Sequence, residues 1–138
     1  MNVYSSADSD GMAKALYNIY LSYCFNIEAR VFSLAAQVTE KGFVCWEFWE
    51  EGFVGIWVPE TDEKEIEVEC LGMQCTVAMN RATLGAALTL MAINHEIWAV
   101  HEAGDDPSYL IKLQDDLQDY VYAEGSGFDA GAVASFLD

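Results

Sequence analysis

The residue types best suited to catalysis or metal binding are two histidines and four cysteines. His95 and His101 are six residues apart, about 600° of rotation on a helix, so their imidazoles point to different faces. They therefore do not make the i,i+4 pair of a zinc-binding helix, and His95 with Glu96 supplies only a fragment of that motif. We expect both histidines to be structural, at the core or the rim of the fold.

The cysteines give no metal or redox motif. Cys24, Cys45, Cys70 and Cys75 form no CxxC pair, and their spacing from either histidine matches no familiar zinc site. The N-terminus shows no secretory signal, so we expect reduced thiols in a cytoplasm, packed as small hydrophobic residues. No glycine-rich nucleotide loop or GxSxG nucleophile motif occurs. We therefore predict no enzymatic activity, no metal and no cofactor, with a hydrolase or metalloenzyme as a third hypothesis.

The strongest chemical feature is an excess of carboxylates. Aspartate and glutamate number 23 against 6 lysines and arginines, giving a formal net charge of −17. This charge repels nucleic acid and anionic membranes, so we expect no direct binding to either. Two clusters are candidate partner-binding residues, one on the outer face of a predicted strand and one on a predicted helix: Glu65, Glu67 and Glu69, and Asp115, Asp116 and Asp119.

The acidic surface has two interpretations. It can be a solvated face that keeps a very apolar chain in solution. Alternatively, an ordered row of carboxylates can imitate a phosphate backbone and occupy a site lined with lysine and arginine. Charge alone favours the first interpretation, because acidic proteins far outnumber DNA mimics.

The elements that carry these residues belong to one domain. A chain of 138 residues with 53% hydrophobic residues is long enough for a single core. Residues 1–10 are polar and are expected to be flexible. Apolar residues at helical spacing predict a helix from Met12, capped by Ser9 or Asp10. A second stripe begins at Ile27. A cap at Asn26 would separate two helices, which we favour over one long helix.

The hydrophobic period then changes from helical to extended. Four segments are predicted as strands, the last of them short: residues 43–49, 53–58, 65–70 and 74–78. Turns are expected at Gly52 and Gly72, and strict alternation from Glu65 to Cys70 indicates a strand with one face in the core. Consecutive strands favour a small antiparallel meander of three to four strands.

Helices return after the strands. Asn80 is predicted to cap a central helix, apolar nearly all round, which Gly104 ends. Asp106 and Pro107 begin the next helix, and Asp129 caps a last short one. The inner face of the penultimate helix is predicted as Leu110, Leu113, Leu117 and Val121. The fold class is therefore α+β, with the sheet packed between N-terminal and C-terminal helices.

Two segments of the chain, residues 41–59 (KGFVCWEFWEEGFVGIWVP) and 79–105 (MNRATLGAALTLMAINHEIWAVHEAGD), carry a family resemblance. They resemble the antirestriction family ArdB/KlcA over residues 27–138, while residues 1–26 lack the family's N-terminal segment. The matching positions are packing and turn residues: Gly42–Phe43, Trp46, Phe48, Gly52–Phe53, Pro59, Asn80 to Gly85, Ile93–Asn94 and Leu137–Asp138.

The resemblance implies a small acidic cytoplasmic protein of mobile DNA that protects that DNA from type I restriction–modification. It carries over no catalytic residue. We therefore expect a non-enzymatic inhibitor that contacts a protein partner, possibly a type I enzyme, through an acidic face. The alternative is an acidic adaptor of a phage or plasmid, without antirestriction activity, anchored by aromatic residues. Its candidate anchors are an exposed subset of Trp46, Trp49, Trp57 and Trp98.

Overall fold

The computed structural model describes residues 1–70 and 75–137 and shows the α+β class expected from the sequence. Helices precede and follow most of the strands. In chain order the elements are β1 (Asn2–Tyr4), α1 (Ser9–Tyr20), α2 (Cys24–Val38), β2 (Trp46–Glu51), β3 (Val54–Pro59), β4 (Ile66–Glu69), β5 (Thr76–Met79), α3 (Arg81–Glu102), α4 (Ser108–Tyr122) and α5 (Ala130–Leu137). The turn predicted at Gly72, the start of the predicted fourth strand at Gln74 and the final Asp138 lie outside the described residues.

The strands form two separate antiparallel ladders. One has the order β1-β2-β3 and the other pairs β4 with β5. Both hairpins join consecutive strands, as in a meander, and the tip of the first is Gly52, whose φ of +61° suits glycine. The third strand of the larger sheet is the N-terminal β1 and not β4. The expected single meander is therefore divided between two ladders.

The N-terminal ten residues hold regular structure that their sequence did not indicate. Val3 lies opposite Trp49 in the register of β1 with β2. Tyr4 donates a hydrogen bond through its hydroxyl to the Glu50 carboxylate at 3.2 Å. The partners of β1 lie more than 40 residues away in the sequence, so no local pattern predicts this strand. The next helix, α1, is capped by Asp8, which accepts from the Gly11 amide at 3.0 Å, and not by Ser9 or Asp10.

The first two helices are distinct, as favoured, but the break lies earlier than Asn26. A 3₁₀ turn over 21–23 separates them, and Leu21 there has a φ of +52°, which non-glycine residues rarely adopt. Asn26 lies inside α2 and caps nothing. Its side chain instead reaches across to α3, where it donates to Glu96.

The central α3 organises the core. Asn80 caps it as predicted, accepting from the Thr83 amide at 2.8 Å. Thr89 on the same helix accepts from the backbone amide of Trp57 in β3 at 3.2 Å. Gly85 allows still closer packing, because a Cβ there would lie 2.3 Å from the Trp57 carbonyl oxygen. Helix α3 and strand β3 therefore meet backbone to backbone at this point.

The remaining helices follow most of their sequence signals, but α4 begins at Ser108, one residue later than predicted. Pro107 occupies the N-cap position, and Asp106 before it accepts from the Ser108 amide at 3.0 Å. Leu110, Leu113, Leu117 and Val121 are buried along α4, as the apolar stripe predicted. Asp129 accepts from the Ala132 amide at 3.0 Å and so caps α5. No helix within residues 1–70 and 75–137 combines the length and the apolar character needed to cross a membrane.

The contact between α3 and β3 gives a stability prediction. We expect Gly85→Ala to lower the free energy of unfolding by about 1–3 kcal/mol, because the new methyl group forces two backbones apart. Urea unfolding followed by tryptophan fluorescence measures this loss. The matched control is Gly131→Ala in α5, where the nearest atom to a new Cβ is 3.5 Å away. A Gly85→Ala protein as stable as the control would contradict this description of the core.

Candidate functional site

The first predicted acidic cluster projects from β4 as the alternation required. Ile66 and Val68 are buried on the inner face, whereas Glu67 and Glu69 are exposed on the outer one. Glu65, just before the strand, is also exposed. Because inner and outer residues alternate, the packing of the apolar residues fixes the direction in which the two strand carboxylates point.

A groove of about 470 Å³ lies between this hairpin and the C-terminal end of α2. We call it the acidic groove, and its polar lining is Gln37, Thr39, Glu40, Lys41, Glu67, Glu69 and Thr76. The C-terminus of a helix carries partial negative charge, so the end of α2 adds to the field of the three glutamates. The one cation in the lining, Lys41, forms an ion pair with Glu63. The groove is therefore suited to a positively charged group.

The second predicted cluster lies on α4 in different surroundings. Asp115 and Asp119 are exposed, whereas Asp116 is half-buried and pairs with Lys112 at 2.9 Å. Asp116 lines a separate depression of about 310 Å³ beside α1 and the tip of the β2–β3 hairpin. The two depressions share no lining residue. The structure thus brings Glu67 and Glu69 together, but it does not join the α4 cluster to them.

Most basic side chains are already paired with carboxylates within the chain. Four of the six basic residues form ion pairs: Arg30 with Glu96, Lys41 with Glu63, Arg81 with Glu47, and Lys112 with Asp116. Within the described residues, Glu65, Glu67 and Glu69 form no ion pair. The charge of the β4 cluster is therefore left for the solvent or for a partner.

A buried carboxylate that sequence reasoning passed over holds α2 against α3. Glu96 is 4% exposed and accepts from the Arg30 guanidinium twice, at 3.0 and 3.2 Å. Its other oxygen accepts from the Asn26 amide at 3.1 Å. Asn26 and Arg30 are four residues apart and so share one face of α2. The available signal was that spacing on α2, together with Glu96 as the one acidic residue among the apolar residues of α3 before its C-terminal Glu102.

The two histidines lie six residues apart on α3. Both are at the surface, and Trp98 meets His101 edge-on at 6.1 Å between ring centroids. Partial burial, followed by the nearby Arg30 guanidinium, lowers the pKa of His95. Across residues 1–70 and 75–137, no three histidine, cysteine or acidic side chains are grouped so that they could hold a metal ion.

The tryptophans divide by exposure. Trp57 is buried against Tyr20 in the core, with 5.0 Å between ring centroids. Trp46 and Trp49 are half-buried, and the Arg81 guanidinium covers the Trp49 ring at 5.4 Å. Trp98 is 58% exposed. Trp98 is therefore the most exposed of the four candidate aromatic anchors.

No protein-family model matches the chain, and no curated protein matches it at a significant level. The resemblance to the ArdB/KlcA family therefore rests on its own residues.

The Glu96 contact predicts a selective loss of stability. We expect Glu96→Gln to lower the free energy of unfolding by about 1–3 kcal/mol, because Arg30 loses a charged acceptor in a largely buried position. Chemical denaturation monitored by circular dichroism gives the value. Glu102→Gln, exposed on the same helix, is the matched control and should change stability by no more than about 0.5 kcal/mol. Equal losses of stability in both variants would show that the ion pair between Arg30 and Glu96 contributes no more to stability than an exposed carboxylate does.

Proposed function

We propose that this protein is a non-enzymatic inhibitor that binds a positively charged surface of a partner protein through its acidic groove. The observation that carries the proposal is the concave set of glutamates between α2 and β4, with its single cation already paired. A partner surface rich in lysine and arginine is the natural complement of such a groove. A surface of that kind is also what a DNA-binding enzyme uses to neutralise phosphates.

The groove holds its charges in a fixed arrangement. Glu67 and Glu69 are two residues apart on a strand, so their Cα atoms are about 6.6–6.8 Å apart. Ile66 and Val68 are buried on the opposite face of the strand, so their packing keeps Glu67 and Glu69 on the solvent side. A lysine or arginine entering the groove therefore meets a preformed negative field, and little conformational entropy is lost on binding.

The class of partner comes from the family resemblance. Within the proposal, the chain acts in the cytoplasm and protects mobile DNA by occupying a type I restriction–modification enzyme. It binds neither DNA nor a membrane, because its charge opposes both. Occupation of the enzyme's DNA-binding surface inhibits cleavage without any bond being made or broken by this chain.

A second candidate function has its own observation. Phe25, Phe53 and Trp98 are exposed by 74%, 81% and 58%, and exposed aromatic side chains are frequent anchors of protein interfaces. They favour an acidic adaptor of a phage or plasmid that does not inhibit restriction. Replacement of Trp98 by alanine would weaken such an adaptor, but it would leave binding through the acidic groove intact.

Charge reversal tests the proposed site. We expect the triple change Glu65→Lys, Glu67→Lys and Glu69→Lys to lower the affinity for a type I enzyme at least about tenfold, because like charges then face each other. Loss of protection in a phage-plating assay should accompany it. The triple reversal Asp10→Lys, Glu102→Lys and Glu124→Lys is the control, since it changes net charge equally at exposed positions away from the groove. Retained inhibition by the first variant would remove β4 from the site.

Salt gives a second test of the mechanism. Binding to a lysine- and arginine-rich surface should weaken steeply between about 50 and 200 mM salt, as DNA binding does. Titration of labelled protein into the enzyme at several salt concentrations measures the slope. An affinity that stays constant over that range would contradict an electrostatic contact. Failure to bind any type I enzyme, with Trp98-dependent binding to another protein, would support the adaptor instead.

A further inference from the structure

Two cysteines face each other across the end of the β4–β5 hairpin. The register pairs Ile66 with Met79, Val68 with Val77 and Glu69 with Thr76. The next residues on each strand are Cys70 and Cys75. Because side chains alternate between the two faces of a strand, Cys70 and Cys75 lie on the same face as the pairs Ile66–Met79 and Val68–Val77.

The backbone confirms that these two cysteines are direct partners. The Cys70 amide donates to the Cys75 carbonyl oxygen at 3.0 Å, the bond expected of two residues that lie opposite each other in an antiparallel ladder. Opposed residues of a hydrogen-bonded antiparallel pair have Cα atoms about 5.5 Å apart. That separation falls inside the range of about 4.4–6.8 Å that a disulfide bridges. The Cα separation therefore allows a disulfide, whose closure also brings the two Cβ atoms to about 3.5–4.5 Å.

The two thiols differ in access to a reagent. Both are free, Cys70 buried and Cys75 exposed. Burial, followed by the hydrogen bond and the charge of the Cys75 thiol, raises the pKa of Cys70 to about 11. An external reagent therefore meets Cys75 first, and Cys70 is placed as the second thiol, within reach of the first.

We infer that Cys70 and Cys75 form an oxidisable dithiol, which closes to a reversible intrachain disulfide when a small-molecule disulfide such as oxidised glutathione is present. In the first step the Cys75 thiolate attacks one sulfur of glutathione disulfide and releases one glutathione thiolate. In the second step the Cys70 sulfur attacks Cys75 Sγ and releases the second glutathione. Two protein thiols are oxidised, one external disulfide is reduced to two thiols, and the two protons pass to the released glutathiones or to water.

The bond would change the edge of the acidic groove. Cys70 follows Glu69, and Cys75 precedes Thr76, so the disulfide would join the two strands beside two residues of the groove lining. It would limit how far β4 and β5 can separate there. No partner protein is needed for this reaction, because the two cysteines are opposed by the strand register and by a backbone hydrogen bond within this chain.

Thiol counting and mass spectrometry test the inference directly. The reduced full-length protein is incubated with oxidised glutathione, quenched with acid and alkylated. We expect the number of free thiols to fall from four to two, with the mass lowered by two hydrogens before alkylation and a 70–75 cross-link after proteolysis. Dithiothreitol should restore all four thiols.

Single substitutions separate the two steps. Cys70→Ser should stop the reaction at a glutathione adduct on Cys75, and Cys75→Ser should leave Cys70 unmodified. Cys45→Ser is the matched control, since Cys45 is also exposed but lies outside the pair, and it should still lose two thiols. A wild-type protein that keeps a stable glutathione adduct on Cys75, or that loses thiols only by dimerising through Cys45, would overturn the inference.

Discussion

The electrostatic repulsion caused by the excess of carboxylates over cations is the constraint on which the rest of this structure depends. A net charge of −17 on 138 residues produces repulsion that only a well-packed interior can offset. Much of that interior is α3, which is buried along most of its length and packs against β3 and α2. Four of the six cations form ion pairs within the chain, and the most buried of these pairs is the one between Arg30 and Glu96. The surface carboxylates of β4 are left without such partners.

The core also determines where the unpaired charges point. Ile66 and Val68 hold β4 by its inner face, and their burial directs Glu67 and Glu69 outward. Helix α2 is fixed to α3 by Asn26 and Arg30, so its C-terminal end stands beside the same strand. The acidic groove is thus a consequence of two apolar packing arrangements, and a stable scaffold gives its charges their fixed positions.

Local signals in the sequence predicted the elements that local chemistry controls. The alternation at residues 65–70, the caps at Asn80 and Asp129 and the inner face of α4 each depend on residues within a few positions of one another. Strand β1 was not predictable, because its partners lie in β2. The same holds for the acidic groove, whose two walls are some 30 residues apart in the chain. The acidic cluster on α4 was predicted, but its distance from β4 depends on the tertiary fold and could not be read from local sequence.

Under the proposed function, binding is localised to the acidic groove and is not a general property of an acidic surface. Titration of the ¹⁵N-labelled protein with a short lysine-rich peptide, followed by amide chemical-shift mapping, tests it most directly. The largest shifts should fall on residues 37–41, on Glu67 and Glu69, and on Thr76, which line the groove. Shifts spread evenly over all exposed carboxylates, or concentrated on α4, would contradict it.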